Sequence, residues 1–182
     1  MPAYTYTSSI DFINDLSFDH IETYSFQRGP QFEERKRLNH LEYSRLDTRK
    51  NIFDDLTAQE EKRLDELEQL AKTQYLLNEE GHFHSGCIMT NRFSINDPQV
   101  ARLKDILLTK ITEIPMWLCS PMYRDAVVFY NKAHEIVATL NVCLSCSYME
   151  TQMFHYINAD HTTYELLREF FTSIGHEVEA DI

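Results

Sequence analysis

Glycine is scarce in this chain, with four residues among 182, at Gly29, Gly81, Gly86 and Gly175. Four scattered glycines cannot form a phosphate-binding loop, and no G-x-G-x-x-G or Walker pattern is present. No segment approaches the roughly 18 apolar residues of a membrane span. The start of the chain has neither the basic stretch nor the apolar core of a signal peptide. We therefore expect a cytoplasmic protein that does not enter a membrane.

Basic residues are outnumbered, with 17 Lys and Arg against 29 Asp and Glu and a net charge of −12. Such a charge repels nucleic acid and anionic membranes and steers the protein toward basic partners. H-E-x-x-H, G-x-S-x-G, EF-hand and kinase signatures are all missing. This combination favours a non-catalytic protein that binds a partner protein with a basic surface, as an inhibitor or an immunity-type protein does. The sequence gives no indication of the oligomeric state.

The length of 182 residues and a hydrophobic content of 43% are typical of one globular domain with a substantial core. Residues 31–55 are highly charged and weakly periodic, which leaves a helix, a strand and a mobile arm all open. We therefore expect a single domain over residues 1–182, in which residues 1–55 form a less regular appendage.

Amphipathic helices are predicted by apolar spacing and capping residues. Thr57 and Glu60 form a capping box before a helix over 57–77, and Asp97 with Pro98 opens a helix over 98–112. A second box, from Thr162 to Glu165, precedes a helix over 162–174. A shorter helix is expected over 8–17. Together with a β-hairpin at 125–143, these elements predict an α+β fold with a small, mainly antiparallel sheet covered by three or four helices.

The hairpin has a predicted register. A turn centred between Lys132 and Ala133 pairs residues whose numbers sum to 265. One apolar face then carries Val127, Phe129, Ile136, Ala138, Leu140 and Val142. Extended outward, this register places Met122 opposite Cys143 and brings Cys119 close to Cys146.

The cysteines are the main candidates for chemistry. Cys143 and Cys146 have the Cys-x-x-Cys spacing that binds one tetrahedral metal or forms a redox pair. Cys119 would be a third ligand, and Cys87 or His84 a fourth, with zinc the natural metal for such donors. Because thiols stay reduced in the cytosol, a structural disulfide is disfavoured, which leaves metal binding, redox chemistry or simple burial.

The pattern of cysteines around this hairpin resembles one in small uncharacterised bacterial proteins. It consists of Cys119 with Pro121, an apolar strand ending Phe129-Tyr130-Asn131, a short turn, a second strand, and the closing pair Cys143 and Cys146. The chain departs from the pattern at Asn141, where the resemblance predicts an acidic residue. The resemblance covers about 28 residues and implies a structural unit without a known activity.

The alternative to protein binding is a zinc- or thiol-dependent function centred on these cysteines.

Overall fold

The computed structural model describes residues 4–116 and 118–178. The chain divides into two units, one built from Met1–Phe26 and Tyr75–Ile182 and the other from Gln27–Gln74. The predicted appendage over residues 1–55 is divided between these two units. Its first elements belong to the sheet of the larger unit, and only its later part falls in the smaller unit.

Within the described residues, the larger unit contains a sheet of seven strands. In chain order these are β1 (Thr5–Ser8), β2 (His20–Ser25), β3 (Ile88–Ser94), β4 (Asp125–Tyr130), β5 (Ile136–Cys143), β6 (Tyr148–Glu150) and β7 (His155–Asn158). Their order across the sheet is β1-β7-β6-β5-β4-β2-β3, and every pair is antiparallel except β1 with β7. The α+β class is confirmed, although the sheet is larger than the small one predicted.

Three helices in the described part of the chain cover one face of this sheet, here called the helical face. They are α1 (Ser9–Asp15), α4 (Pro98–Leu107) and α5 (His161–Ser173). The main core lies between these helices and the alternating apolar side chains of the strands, including Val127, Phe129, Leu140 and Val142. Burying a large apolar side chain contributes about 1.5–3 kcal/mol. The shared face predicted for the hairpin strands is therefore confirmed at these four positions.

The hairpin register is shifted by two residues from the prediction. Val127 pairs with Leu140 and Phe129 with Ala138, so the numbers sum to 267. The connection is longer than a two-residue turn, because the Asn131 carboxamide oxygen accepts hydrogen bonds from the backbone N–H groups of Ala133 and Glu135. A register shift of two residues leaves each side chain on the same face of the sheet but changes its partner on the neighbouring strand. A bulge between Phe129 and Tyr130 pairs Ile136 with Tyr130, and Ile136 is exposed. The ladder with β4 ends where Asp125 pairs with Val142, so Met122 does not lie opposite Cys143, whose partner on the other edge of β5 is Tyr148.

The smaller unit is a pair of helices, α2 (Pro30–Phe53) and α3 (Ala58–Ala71). Its small core contains Leu46, Leu64 and Leu67. The capping box at Thr57 and Glu60 is confirmed, whereas α3 ends before the predicted residue 77. None of the helices in the described ranges is both long enough and apolar enough to cross a membrane.

The start of α5 differs from the predicted capping box. Asp160 is the N-cap, and its carboxylate accepts hydrogen bonds from the backbone N–H groups of Thr162, Thr112 and Glu113 and from the Thr112 hydroxyl. These bonds, those from Thr112 first, lower the pKa of Asp160 below its ordinary value. Because one carboxylate serves both the helix and residues 112–113, it stabilises the segment after α4 as well as α5. Helix α4 itself ends at Leu107, earlier than the predicted residue 112.

Candidate functional site

A disulfide joins two of the predicted site residues. Cys119 and Cys146 are bonded, and their Cα atoms lie 6.3 Å apart. The predicted proximity of these residues is confirmed, although the register behind it is shifted. The bond itself differs from the expectation that the cysteines are reduced. Since Cys146 lies in the loop between β5 and β6, the disulfide fixes residue 119 to the turn that connects these two strands.

The remaining candidate residues lie around the same small core. Cys143 is a free, buried thiol at the end of β5, in one apolar cluster with Cys146. Cys87 is free, packs against that cluster, and has its pKa raised by burial. The His84 ring lies against Phe26, while its Nδ1 accepts a hydrogen bond from the Gly86 backbone. The structure therefore joins Cys119 to Cys146, places Cys143 and Cys146 in one apolar cluster with Cys87 packed against it, and gives His84 other partners.

The described part of the chain contains no group of three or more His, Cys, Asp or Glu side chains arranged to hold a metal ion. The disulfide occupies two of the sulfurs that the zinc hypothesis needs as thiolates. A zinc site therefore requires the bond to be reduced and the ligands to rearrange.

The sheet face opposite the helical face, here called the tyrosine face, contains a buried carboxylate surrounded by phenols. Glu150 on β6 is 2% exposed. The hydroxyl of Tyr75 donates to its Oε2 atom, and Tyr156 on β7 is also hydrogen-bonded to it. Burial, followed by the charge of Glu150, raises the pKa of Tyr156 to about 12, and the same two causes raise the pKa of Tyr123. These phenols therefore stay protonated at neutral pH and can donate to the carboxylate.

A second buried carboxylate lies across the tyrosine face, on β2. Glu22 accepts a hydrogen bond of 2.6 Å from the Tyr24 hydroxyl and one of 2.8 Å from Arg92 Nε. Burial acts to raise the pKa of Glu22, but the hydrogen bonds from Tyr24, Arg92 and Tyr130 outweigh it, so the pKa is lowered. Glu22 is thus an ionised carboxylate compensated by a guanidinium group, whereas Glu150 is surrounded by phenols.

Exposed aromatic rings lie beside Glu150. Tyr4 and Tyr6 are 55% and 64% exposed. The Tyr6 ring stacks on Tyr156 with centroids 5.4 Å apart, and Tyr4 contacts both Tyr156 and Phe154. Tyr148 meets Tyr156 from β6. We call Tyr4, Tyr6, Tyr148, Phe154 and Tyr156 the tyrosine patch.

A separate polar chain ties the segment after α5 to the sheet. His176 Nδ1 lies 2.7 Å from Asp125 Oδ1, and its Nε2 lies 2.6 Å from Thr90 Oγ1. These residue types resemble an acid–base–nucleophile relay. However, the His176 side chain is fully buried, and the Thr90 hydroxyl donates to the Thr23 carbonyl oxygen. This row of hydrogen-bonded side chains is therefore explained as a structural link between β2, β3, β4 and the segment after α5.

The sequence did not predict the cluster around Glu150. Tyr75 and Glu150 are 75 positions apart, and only tertiary packing brings them together. One local signal was available, because β6 and β7 alternate Tyr148-Met149-Glu150 and Tyr156-Ile157, with the apolar residue buried each time. Such alternation indicates that the tyrosines and the glutamate share the opposite face.

Reduction of the Cys119–Cys146 disulfide should lower the free energy of unfolding by about 3.5 kcal/mol, because a cross-link across a loop of this size restricts the unfolded chain. The separation is 27 residues. Urea denaturation with and without reductant measures the difference. The Cys119→Ser variant should be insensitive to the reductant. Equal midpoints for the wild type in both conditions would contradict the prediction.

Replacement of Glu150 by Gln should lower the pKa of Tyr156 from about 12 toward 10.0, leaving the part of the shift that burial causes. Since the phenol pKa is raised on folding, Tyr156 contributes stability below pH 10 that is lost as the pH rises toward 12. Glu150→Gln should therefore weaken this alkaline loss of stability. Phenolate absorbance during alkaline titration measures the change.

The matched control is Glu22→Gln on the same sheet face. This change should lower the pKa of Tyr24, whose hydroxyl donates to Glu22, and leave Tyr156 unaffected. An identical titration of Tyr156 in the wild type and in Glu150→Gln would show that the carboxylate does not act on this phenol.

Comparison with protein-family models, curated proteins and solved structures finds no match to this chain. The resemblance of residues 119–146 to small bacterial proteins is neither supported nor opposed by that result. The function must therefore be argued from the tyrosine patch, the buried carboxylates and the cysteines themselves.

Proposed function

We propose that this protein is a non-catalytic binding protein whose tyrosine patch receives a basic segment of a partner protein. The observation that carries the proposal is the exposure of Tyr4 and Tyr6, both more than half exposed while stacked against Tyr156. Tyrosine is enriched at protein interfaces because it offers a large apolar surface together with a polar hydroxyl. Rings already held by stacking lose little conformational entropy on binding.

The charge of the protein favours a basic occupant. Arginine and lysine side chains bind over tyrosine rings by cation–π attraction, worth about 0.5–1 kcal/mol at an exposed site. Glu150 lies behind Tyr156 and is hydrogen-bonded to it, which places a negative charge on the inner side of the patch. The net charge of −12 adds long-range steering toward cationic partners. An inhibitor or immunity-type role is consistent with such an acidic, aromatic surface.

Binding of an arginine-rich peptide, compared with a glutamate-rich peptide of the same length, tests this function by titration calorimetry. The basic peptide should bind, with an affinity that falls as salt is added. The double change Tyr4→Ala and Tyr6→Ala should weaken binding about ten-fold, because two cation–π contacts are lost.

Phe53→Ala is the matched control, since Phe53 is an exposed aromatic residue of the smaller unit, 65% exposed. It should leave the affinity unchanged. The proposal fails if the basic peptide does not bind, if the acidic peptide binds equally well, or if the tyrosine variant binds like the wild type.

A second candidate function depends on the cysteines. The gathering of Cys119, Cys143 and Cys146 around one small core, with Cys87 against it, favours a zinc- or thiol-dependent role. The disulfide supports the thiol form of this proposal, whereas the zinc form applies only to the reduced protein.

Zinc content separates the two forms. If the zinc form is right, protein purified under reducing conditions should carry one equivalent of zinc, and Cys143→Ser should lose it. Elemental analysis combined with a count of free thiols measures both quantities. Four free thiols without zinc in the reduced protein would remove the zinc form and leave the thiol form.

A further inference from the structure

The two cysteines of the disulfide differ in their exposure to solvent. Cys119 is exposed, whereas Cys146 is only 8% exposed and belongs to a buried apolar cluster. Thiol–disulfide exchange requires a thiolate to approach one sulfur of the bond, and access decides which sulfur is attacked. An incoming thiolate can therefore reach Cys119 Sγ, with Cys146 as the leaving group.

Among the described residues, the sequence neighbours of Cys119 leave this approach open. Leu118 and Ser120, its neighbours in sequence, are both exposed, and Leu118 is fully so. By contrast, Cys146 is enclosed, with its sulfur 3.9 Å from the Ser120 carbonyl oxygen. A leaving thiolate at Cys146 therefore stays close to Cys119 and can attack it again.

The two free cysteines are poor competitors for the same reagent. Cys143 is 1% exposed, so a thiolate or disulfide in solution does not reach it. The pKa of Cys87 is raised by burial, which lowers the fraction of reactive thiolate. The chain thus combines one accessible sulfur with one protected partner.

We propose that the Cys119–Cys146 bond is a thiol–disulfide exchange site that oxidises accessible thiols through Cys119. This inference deepens the thiol form of the second candidate function and does not depend on the tyrosine patch. A substrate thiolate attacks Cys119 Sγ, a mixed disulfide forms, and the electron pair passes to Cys146 Sγ, which takes a proton from water. A second thiolate attacks the substrate sulfur and releases Cys119. Two substrate thiols become one disulfide, and their two protons end on Cys119 and Cys146.

Adduct mapping with glutathione tests the site. Oxidised wild-type protein is mixed with reduced glutathione, quenched with an alkylating reagent at early times, and digested for mass spectrometry. The glutathione adduct should appear on Cys119 at least ten-fold more than on Cys146 or Cys143. Reduced Cys146→Ser protein, treated with glutathione disulfide, should accumulate one stable adduct on Cys119, because the attacking partner is gone.

The source of the substrate thiol is distinguished by a second arm, in which a cysteine peptide with apolar neighbours replaces glutathione. A faster reaction with the peptide assigns polypeptide thiols as substrates, and a faster reaction with glutathione assigns small thiols. Ser145→Ala is the control, since Ser145 adjoins the pair without taking part, and it should leave the adduct pattern unchanged.

Three results would overturn the exchange site. One is an adduct on Cys146, Cys143 or Cys87 in place of Cys119. Another is a pattern shared equally among the cysteines, and the third is wild-type protein folded in air that lacks the Cys119–Cys146 bond. The wild-type time course distinguishes these results from the expected one even if Cys146→Ser does not fold. Peptide binding at the tyrosine patch is measured separately, so failure of one proposal is distinguishable from failure of the other.

Discussion

The buried carboxamide of Asn141 is the interaction on which the tyrosine face depends. Its oxygen accepts a hydrogen bond of 2.9 Å from the Leu76 backbone N–H, and its nitrogen donates to the carbonyl oxygens of Glu150 and Thr151. One side chain on β5 therefore fixes both the segment after α3 and the end of β6. Leaving the buried Asn141 carboxamide unpaired would cost about 1–3 kcal/mol, so its three hydrogen bonds must form together. Leu76 in turn positions the adjacent Tyr75, whose hydroxyl reaches Glu150.

The buried carboxylates show how this face differs from an ordinary apolar core. Removing a carboxylate from water is costly unless hydrogen bonds and charges compensate it. Glu22 is compensated by Arg92 and Tyr24, and its pKa is lowered in consequence. Glu150 is instead surrounded by phenols, whose pKa values are raised by burial first and then by Glu150. Apolar residues of similar volume are often at least as stable as such groups, so stability alone does not explain why two carboxylates lie here.

Sequence patterns predicted the elements that depend on local spacing. The apolar periodicity of α4 and α5 and the alternation in β4 and β5 follow from neighbouring residues, and they are confirmed. The 24-residue helix α2 escapes prediction because it has one buried residue and is held by ion pairs such as Arg63 with Glu42. The hairpin register was wrong by two because Asn131 organises a longer connection. The Glu150 cluster joins residues that lie far apart in sequence. The hairpin predicted that Cys119 lies near Cys146, but the disulfide between them was not predicted, because reduced thiols were expected.

The two proposed sites lie next to each other at the short strand β6. Cys146 precedes β6 by two residues, while Tyr148 and Glu150 lie on it. Because β6 has only three residues, its position depends on its pairing with β5 and on what holds the preceding loop. The disulfide restrains that loop, and Tyr148 extends the contact to Tyr156 in the tyrosine patch. Reduction of the bond would remove this restraint on the loop that precedes the strand carrying Tyr148 and Glu150. A short element whose stability comes from its neighbours is less firmly held when one of its restraints is removed.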